Sequence, residues 1–279
     1  MDIERIKRLY RYIIHGVPTK HITVIAHQDN SAKRLLDRNV IITGGSRGIG
    51  FAIAEKCIKE GAKVLICGRD EESLKQAVAK LGEKASCLAY NVADVSQANS
   101  FLNNCFEKLG GYVDCLVNNA GISYHETGFK DVTPNGFDEQ FNVNFKGAYF
   151  LTQEYVKLIG EKKQTGGTIL FISSERGSFN TDIPYGLSKA TINSLTAALS
   201  FKFYGSKNIR VNAIAPGVTS SDMTGRKSSE NMEYSASPIG RVLLPEEIAE
   251  VAVFLLSDYS RCISGEVVHC DAGAHLKCI

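Results

Sequence analysis

The chain has no tryptophan, only three methionines and only six prolines in 279 residues. None of its apolar runs approaches the roughly 18–20 residues that a membrane span needs. No C-x-x-C pair occurs, and the eight cysteines show no Cys/His ligand spacing, so neither a zinc module nor any other metal site is expected. A disulfide framework is equally unexpected, because the cysteines scatter through strand-like and helix-like segments and read as reduced, mostly buried thiols. Charge of one sign is lacking too: 32 Lys+Arg against 30 Asp+Glu leave a net charge of +2. That balance, with no recognisable nucleic-acid motif, argues against a nucleic acid as partner. The N-terminus lacks the continuous apolar core of a signal peptide, so a cytoplasmic protein with no membrane partner is expected.

What is there begins with Tyr185 and Lys189, in Pro184-Tyr185-Gly186-Leu187-Ser188-Lys189-Ala190. On a helix, four-residue spacing puts both side chains on one face. At an effective dielectric near 20 and a separation of about 5 Å, the ammonium would favour a phenolate by roughly 3 kcal/mol. That is about 2 pKa units, which would bring the phenol from about 10 to near 8. Such a pair is an acid-base group at working pH, although many helices carry Tyr and Lys at this spacing by chance.

Upstream, the apolar run 39–43 enters Gly44-Gly45-Ser46-Arg47-Gly48-Ile49-Gly50, and a helical pattern (Ile49, Ala52, Ile53, Cys57) follows up to Gly61. A strand, a glycine turn and a helix N-terminus form a cradle for a diphosphate, because unpaired backbone N–H groups and the helix dipole face the anion. Further strand-like runs fall at 63–67, 86–90, 114–117, 168–173, 210–214 and 266–270, separated by helical segments. Seven such runs predict an α/β, Rossmann-type doubly wound fold: a seven-stranded parallel sheet with helices on both faces. Right-handed crossovers then bring the loops after the strands together at one sheet edge.

The glycine turn, Asn118-Asn119-Ala120-Gly121 after an apolar strand, the serines Ser173-Ser174 ending another, and Tyr185/Lys189 occur in an order that resembles the short-chain dehydrogenases/reductases, from about residue 39 to 276. Within that family the chain looks most similar to the 3-oxoacyl-(acyl-carrier-protein) reductase group. The resemblance implies hydride transfer at a carbonyl or alcohol carbon, with Tyr185, Ser174, Lys189 and Asn144 as catalytic residues. Tyr185 would give its proton to the carbonyl oxygen, Ser174 would bind that oxygen, and Lys189 would tune the phenol and bind the nicotinamide ribose. Asn144 would hold a water leading to the lysine.

The cofactor cradle implied by the resemblance comprises Gly44, Ser46, Arg47, Gly48, Ile49 and Gly50. Asn91 and Val92 would touch the adenine, and Asn118, Ala120 and Gly121 would line the adenine-ribose side. Pro216, Gly217, Val218, Thr219 and Ser221 would form the loop over the nicotinamide and diphosphate. Where NAD-dependent relatives place an acid after the second strand, this chain has Gly68 and then Arg69. With Arg47, that favours NADP(H) over NAD(H), since two guanidiniums can clamp a 2′-phosphate. Arg176 is a candidate for binding an anionic substrate, or equally a salt-bridge partner.

The expected activity is reduction of a 3-oxoacyl or other small ketone. The alternatives are a sugar or polyol dehydrogenase working in the oxidative direction and a non-catalytic NADP(H)-binding sensor. A polar lid over 224–239 does not argue for a steroid. Residues 39–279 are expected to form one domain, assembling by family resemblance as a homotetramer or homodimer. Residues 1–38 stand apart as a basic extension with eight Lys/Arg, four Asp/Glu and three of the six histidines. Within them Ile3, Ile6, Tyr10 and Ile13 or Ile14 recur at helical spacing, and a short strand is expected over 21–26.

Overall fold

The computed structural model describes Tyr10, residues 33–226 and residues 232–276. The expected N-terminal strand and most of the amphipathic segment lie outside the described residues, although Tyr10 itself is helical and exposed. One compact unit runs from Lys33 onward. Leu35 is already fully buried in it, and Arg34 pairs with Glu60 at 2.5 Å.

Seven strands, β1 (Asn39–Thr43), β2 (Lys63–Gly68), β3 (Ala85–Ala89), β4 (Cys115–Asn118), β5 (Gly167–Ile172), β6 (Ile209–Pro216) and β7 (Val267–Cys270), pair in the order β3-β2-β1-β4-β5-β6-β7, every pair parallel. Seven α-helices lie among the described residues: α1 (Gly48–Lys59), α2 (Glu71–Leu81), α3 (Ala98–Lys108), α4 (Pro134–Phe141), α5 (Ala148–Glu161), α6 (Pro184–Lys207) and α7 (Pro245–Leu256). The expected strands are all present, with every end within two residues of its expected place.

Alternation explains the two-sided core. In β1, Val40 and Ile42 point to the face packed by Ile53 and Cys57 of α1 and Ile248, Ala252 and Val253 of α7, while Ile41 points to Phe101, Phe106, Leu151 and Tyr155 of α3 and α5 on the other face. Both faces are apolar because both are covered, which is why the strands read as continuous apolar runs instead of alternating ones. Cys57, Cys67, Cys105 and Cys115 sit inside this core, and Cys262 is exposed. The strand order reverses between β1 and β4, so the loops after those strands diverge and leave a crevice at the carboxyl edge of the sheet.

Candidate active site at the carboxyl edge of the sheet

The turn between β1 and α1 is glycine-rich because its backbone has to be. Gly44 and Gly48 have φ of +64° and +56°, which L residues rarely adopt. A Cβ on Gly50 would come within 2.3 Å of the Gly44 carbonyl oxygen and 2.4 Å of the Asn119 side-chain nitrogen. Arg47, the residue preceding α1, makes no side-chain cap, and the first turn of α1 carries no acid. Its N-terminal N–H groups are therefore left for an anion.

Thr43, at the end of β1, ties this turn to the end of β4. Its hydroxyl oxygen accepts from the backbone N–H groups of Asn119 and Ala120, both at 3.0 Å, and the Asn119 amide donates to the carbonyl oxygens of Thr43 (2.9 Å) and Gly44 (3.0 Å). Asn119, unlike Asn118, Ala120 and Gly121, carries no role in the sequence pattern, and the doubled asparagine is the one signal of it. Its neighbour Asn118 donates from its buried amide to Thr152 at 3.0 Å, and its carbonyl oxygen has no protein partner among the described residues.

On the far side of the crevice, α6 starts with Pro184 at its first turn, a position where a missing N–H costs nothing. Tyr185 and Lys189 follow one turn apart. The Lys189 ammonium lies 5.7 Å from the centroid of the Tyr185 ring and donates to the carbonyl of Ile172 at 2.8 Å. A Cβ on Gly121 would stand 3.5 Å from that ammonium and 3.3 Å from the Asn144 amide oxygen, so the loop after β4 closes directly on both.

Asn144 sits in a π-helical stretch, Asn142–Gly147, between α4 and α5. Its amide accepts from the Ile122 N–H (2.8 Å), donates to the Ile122 carbonyl (3.0 Å) and donates to the Ser188 hydroxyl (3.1 Å). Ser188 in turn donates to the Tyr185 carbonyl at 2.7 Å, so a hydrogen-bonded path joins Asn144 to the tyrosine's own backbone.

The serine pair divides as strand alternation requires. Ser173 donates to the Asn193 side chain (2.6 Å) and the Lys189 carbonyl (3.2 Å), and so turns toward the body of α6. Ser174 lies beside the Tyr185 phenol, whose pKa it helps to lower, and accepts from the Arg176 N–H at 3.2 Å.

The electrostatics depart from the sequence expectation in one respect. The Tyr185 phenol is not lowered toward 8 but raised, because burial outweighs the opposing pull of the Ser174 hydrogen bond and the Arg176 charge. Lys189 is not among the groups that counter this shift, and burial pulls its own ammonium down to about 8.

The remaining predicted residues line the same edge. Arg47 reaches across to Asp222 at 3.5 Å, and Arg69 is exposed just past β2. Asn91 spends its side-chain oxygen on the N–H of Ala93 at 3.1 Å, and Val92 is buried against Gly147. Pro216 ends β6, and Thr219 donates to the Gly217 carbonyl at 2.9 Å. Ser221 caps the short turn Asp222–Thr224, with its Cβ 3.6 Å from where a Cβ on Gly48 would be. This loop therefore lies over the glycine turn, and the Met223 carbonyl in it accepts from His125 Nε2 at 2.8 Å. Residues 227–231 of the expected lid lie outside the described residues.

A cleft lined by Glu175, Arg176, Phe179, Val218, Tyr234 and Asp271 opens beside Ser174 and the loop after β6. No described helix is long and apolar enough to cross a membrane, and no group of His, Cys, Asp and Glu among the described residues is placed to hold a metal ion.

Comparison with known proteins agrees with this geometry. The family model described as enoyl-(acyl carrier protein) reductase matches residues 44–275. A 3alpha-hydroxysteroid dehydrogenase of Mediterraneibacter gnavus is 36% identical, covering 86% of this chain and 98% of the relative. A 3-oxoacyl-[acyl-carrier-protein] reductase of Aquifex aeolicus is 35% identical, over 84% of this chain and 95% of the relative. Among solved structures, a 3-ketoacyl-(acyl-carrier-protein) reductase of Brucella melitensis complexed with NADH superposes with a TM-score of 0.78 at 28% identity, over 86% of this chain and 99% of that one. The chain belongs to the short-chain dehydrogenases/reductases, oxidoreductases that act on alcohol and carbonyl groups with a nicotinamide cofactor.

Proposed function

We propose that this protein is a cytoplasmic, NADP(H)-dependent reductase that converts a 3-oxoacyl or other small ketone to a secondary alcohol, working as a homotetramer or homodimer. The observation that carries the reading is the meeting of Tyr185, Ser174, Lys189 and Asn144 at one point of the crevice, beside a glycine turn with an uncapped helix N-terminus.

The residues present fit a dinucleotide. Gly44, Ser46, Gly48, Ile49 and Gly50 would hold its diphosphate with Ser221 above them, and Asn91, Val92, Asn118, Ala120 and Gly121 would line its adenosine half. Pro216, Gly217, Val218 and Thr219 would hold the nicotinamide end. Arg47 and Arg69 would bind a 2′-phosphate, and no acid occupies the end of β2 to repel it.

A bound nicotinamide supplies the hydride. Tyr185 donates its phenolic proton to the ketone oxygen as the carbon is reduced, and Ser174 donates a hydrogen bond to that same oxygen, fixing it against the phenol. The raised phenol is held in its protonated form at neutral pH, the form that reduction consumes. Lys189, pinned by the Ile172 carbonyl, returns a proton toward the tyrosine, and Asn144 braces the loop after β4 at the lysine. Arg176, on the wall of the cleft, faces a carboxylate or phosphate-bearing part of a substrate. A cleft wall carrying Glu175, Arg176 and Asp271 suits a small polar ketone better than a steroid nucleus.

The test is cofactor-resolved turnover with acetoacetyl thioesters, small diketones, keto sugars and a 3-oxosteroid. Preference for NADPH that Arg47→Ala and Arg69→Ala each reduce by about tenfold would support the reading. Equal use of NADH and NADPH by the wild type, or turnover of the steroid alone, would overturn it.

A further inference from the structure

The loop after β5 ends in a cluster that the proposed chemistry leaves unused. The Ser178 hydroxyl and His269 Nε2, on β7, are 2.7 Å apart. The His269 ring stacks on the His275 ring with centroids 3.9 Å apart and an angle of 18°. His275 Nδ1 is 2.8 Å from Asp271, a buried carboxylate that also accepts from the backbone N–H groups of Gly273 (2.9 Å) and His275 (2.9 Å).

We propose that His269 is a positioning residue for the substrate cleft: through Ser178 it holds the turn that carries Ser174 and Arg176. The path is short and continuous. The Ser178 N–H donates to the Glu175 carbonyl at 2.9 Å, the Gly177 N–H to the Ser174 carbonyl at 2.9 Å, and the Arg176 N–H to the Ser174 hydroxyl at 3.2 Å. On its other side the turn is pressed onto α6, since a Cβ on Gly177 would lie 2.7 Å from the Lys189 carbonyl carbon. The turn is therefore fixed between the helix that bears Tyr185 and the strand that bears His269. Asp271, which orients His275, is itself part of the cleft wall.

The tie depends on a neutral His269 imidazole. Burial holds His269 below the usual histidine range, and the neighbouring His275 adds to that shift while Asp271 opposes it. The other charged side chains where these elements meet are Glu175 and Arg176 on the turn. Protonating His269 removes its Nε2 lone pair as an acceptor and sets a cation on the stacked His275 ring, so the present hold on Ser178 is kept above the ordinary histidine pKa and weakened as pH falls through the lowered one.

The inference rests on the proposed reductase reading for its kinetic readout, and amide exchange gives a second readout that needs no turnover. His269→Ala and Ser178→Ala are each expected to lower kcat/KM by about tenfold, mainly in kcat, and the double variant to be no worse than either alone. His269→Gln, which keeps a hydrogen-bonding end, is expected to restore most of the rate and to remove the acidic limb of the wild-type pH profile. Exchange of the Gly177 and Ser178 amides is expected to quicken in His269→Ala while the core strands stay protected. Additive losses in the double variant, or unchanged exchange at 177–178 in His269→Ala and Ser178→Ala, would overturn the proposal. If the wild type reduces no ketone, the reductase reading fails while the exchange result still decides this one.

Discussion

The ammonium of Lys189 is held 2.8 Å from the carbonyl oxygen of Ile172, the last residue of β5 and the one that precedes Ser173 and Ser174. One strand end thus anchors the lysine and presents the serine, which fixes their separation independently of any substrate. The lysine is buried for this contact, and burial lowers its pKa to about 8.

A charged lysine kept in such a place costs stability. Its folded pKa lies below its unfolded value of about 10.4, so the unfolded chain binds the extra proton between those values and stability rises with pH across roughly pH 8 to 10.5. Lys189→Met is therefore expected to unfold about 1–2 kcal/mol harder than the wild type at pH 7, once the lost bond to Ile172 is counted. The gap should narrow toward pH 10. Urea unfolding at the two pH values checks this, and a destabilised variant at pH 7 would contradict it.

Glycine 50 has no room to grow. Gly50→Ala would drive a Cβ into the Gly44 carbonyl and the Asn119 amide, displacing the turn that faces the diphosphate. Dinucleotide affinity, measured by calorimetry, is expected to fall by more than about 100-fold, or about 2.7 kcal/mol. Asn119→Ala should act in the same direction more weakly, since it removes two hydrogen bonds to the turn without adding bulk.

Away from the site, Arg210 is buried and donates only to neutral oxygens: the carbonyls of Leu255, Ser257 and Ser260 and the hydroxyls of Ser260 and Thr168. It closes the C-terminal end of α7 onto β6, where carbonyls would otherwise be orphaned. Arg210→Met is expected to destabilise the protein by about 2–4 kcal/mol, read from denaturant midpoints, with the dinucleotide affinity of the folded protein unchanged.

The parallel sheet and its crevice were legible in the sequence because each depends on local pattern: apolar runs such as 39–43, and a glycine turn whose backbone tolerates nothing else. The Tyr185/Lys189 pair was legible for the same reason, a spacing on one helix. The direction of the tyrosine's shift was not, because burial is a property of the assembled site and exceeded the pair attraction that spacing suggested. His269 and Ser178 stand 91 residues apart, and nothing in either segment signals the other before β7 is laid beside β6. Asn119 was hidden by its neighbour, since only the register of β4 decides which of two adjacent asparagines faces the turn.

The central claim is that Tyr185 is the proton donor of a carbonyl reduction. Its most direct test is the rate of NADPH-dependent reduction of an acetoacetyl thioester by the wild type and by Tyr185→Phe, with dinucleotide affinity measured on both. The account predicts a loss of about 10²–10⁴ in kcat with affinity for the dinucleotide nearly unchanged. A Tyr185→Phe variant that reduces the thioester within a few-fold of the wild-type rate would contradict it.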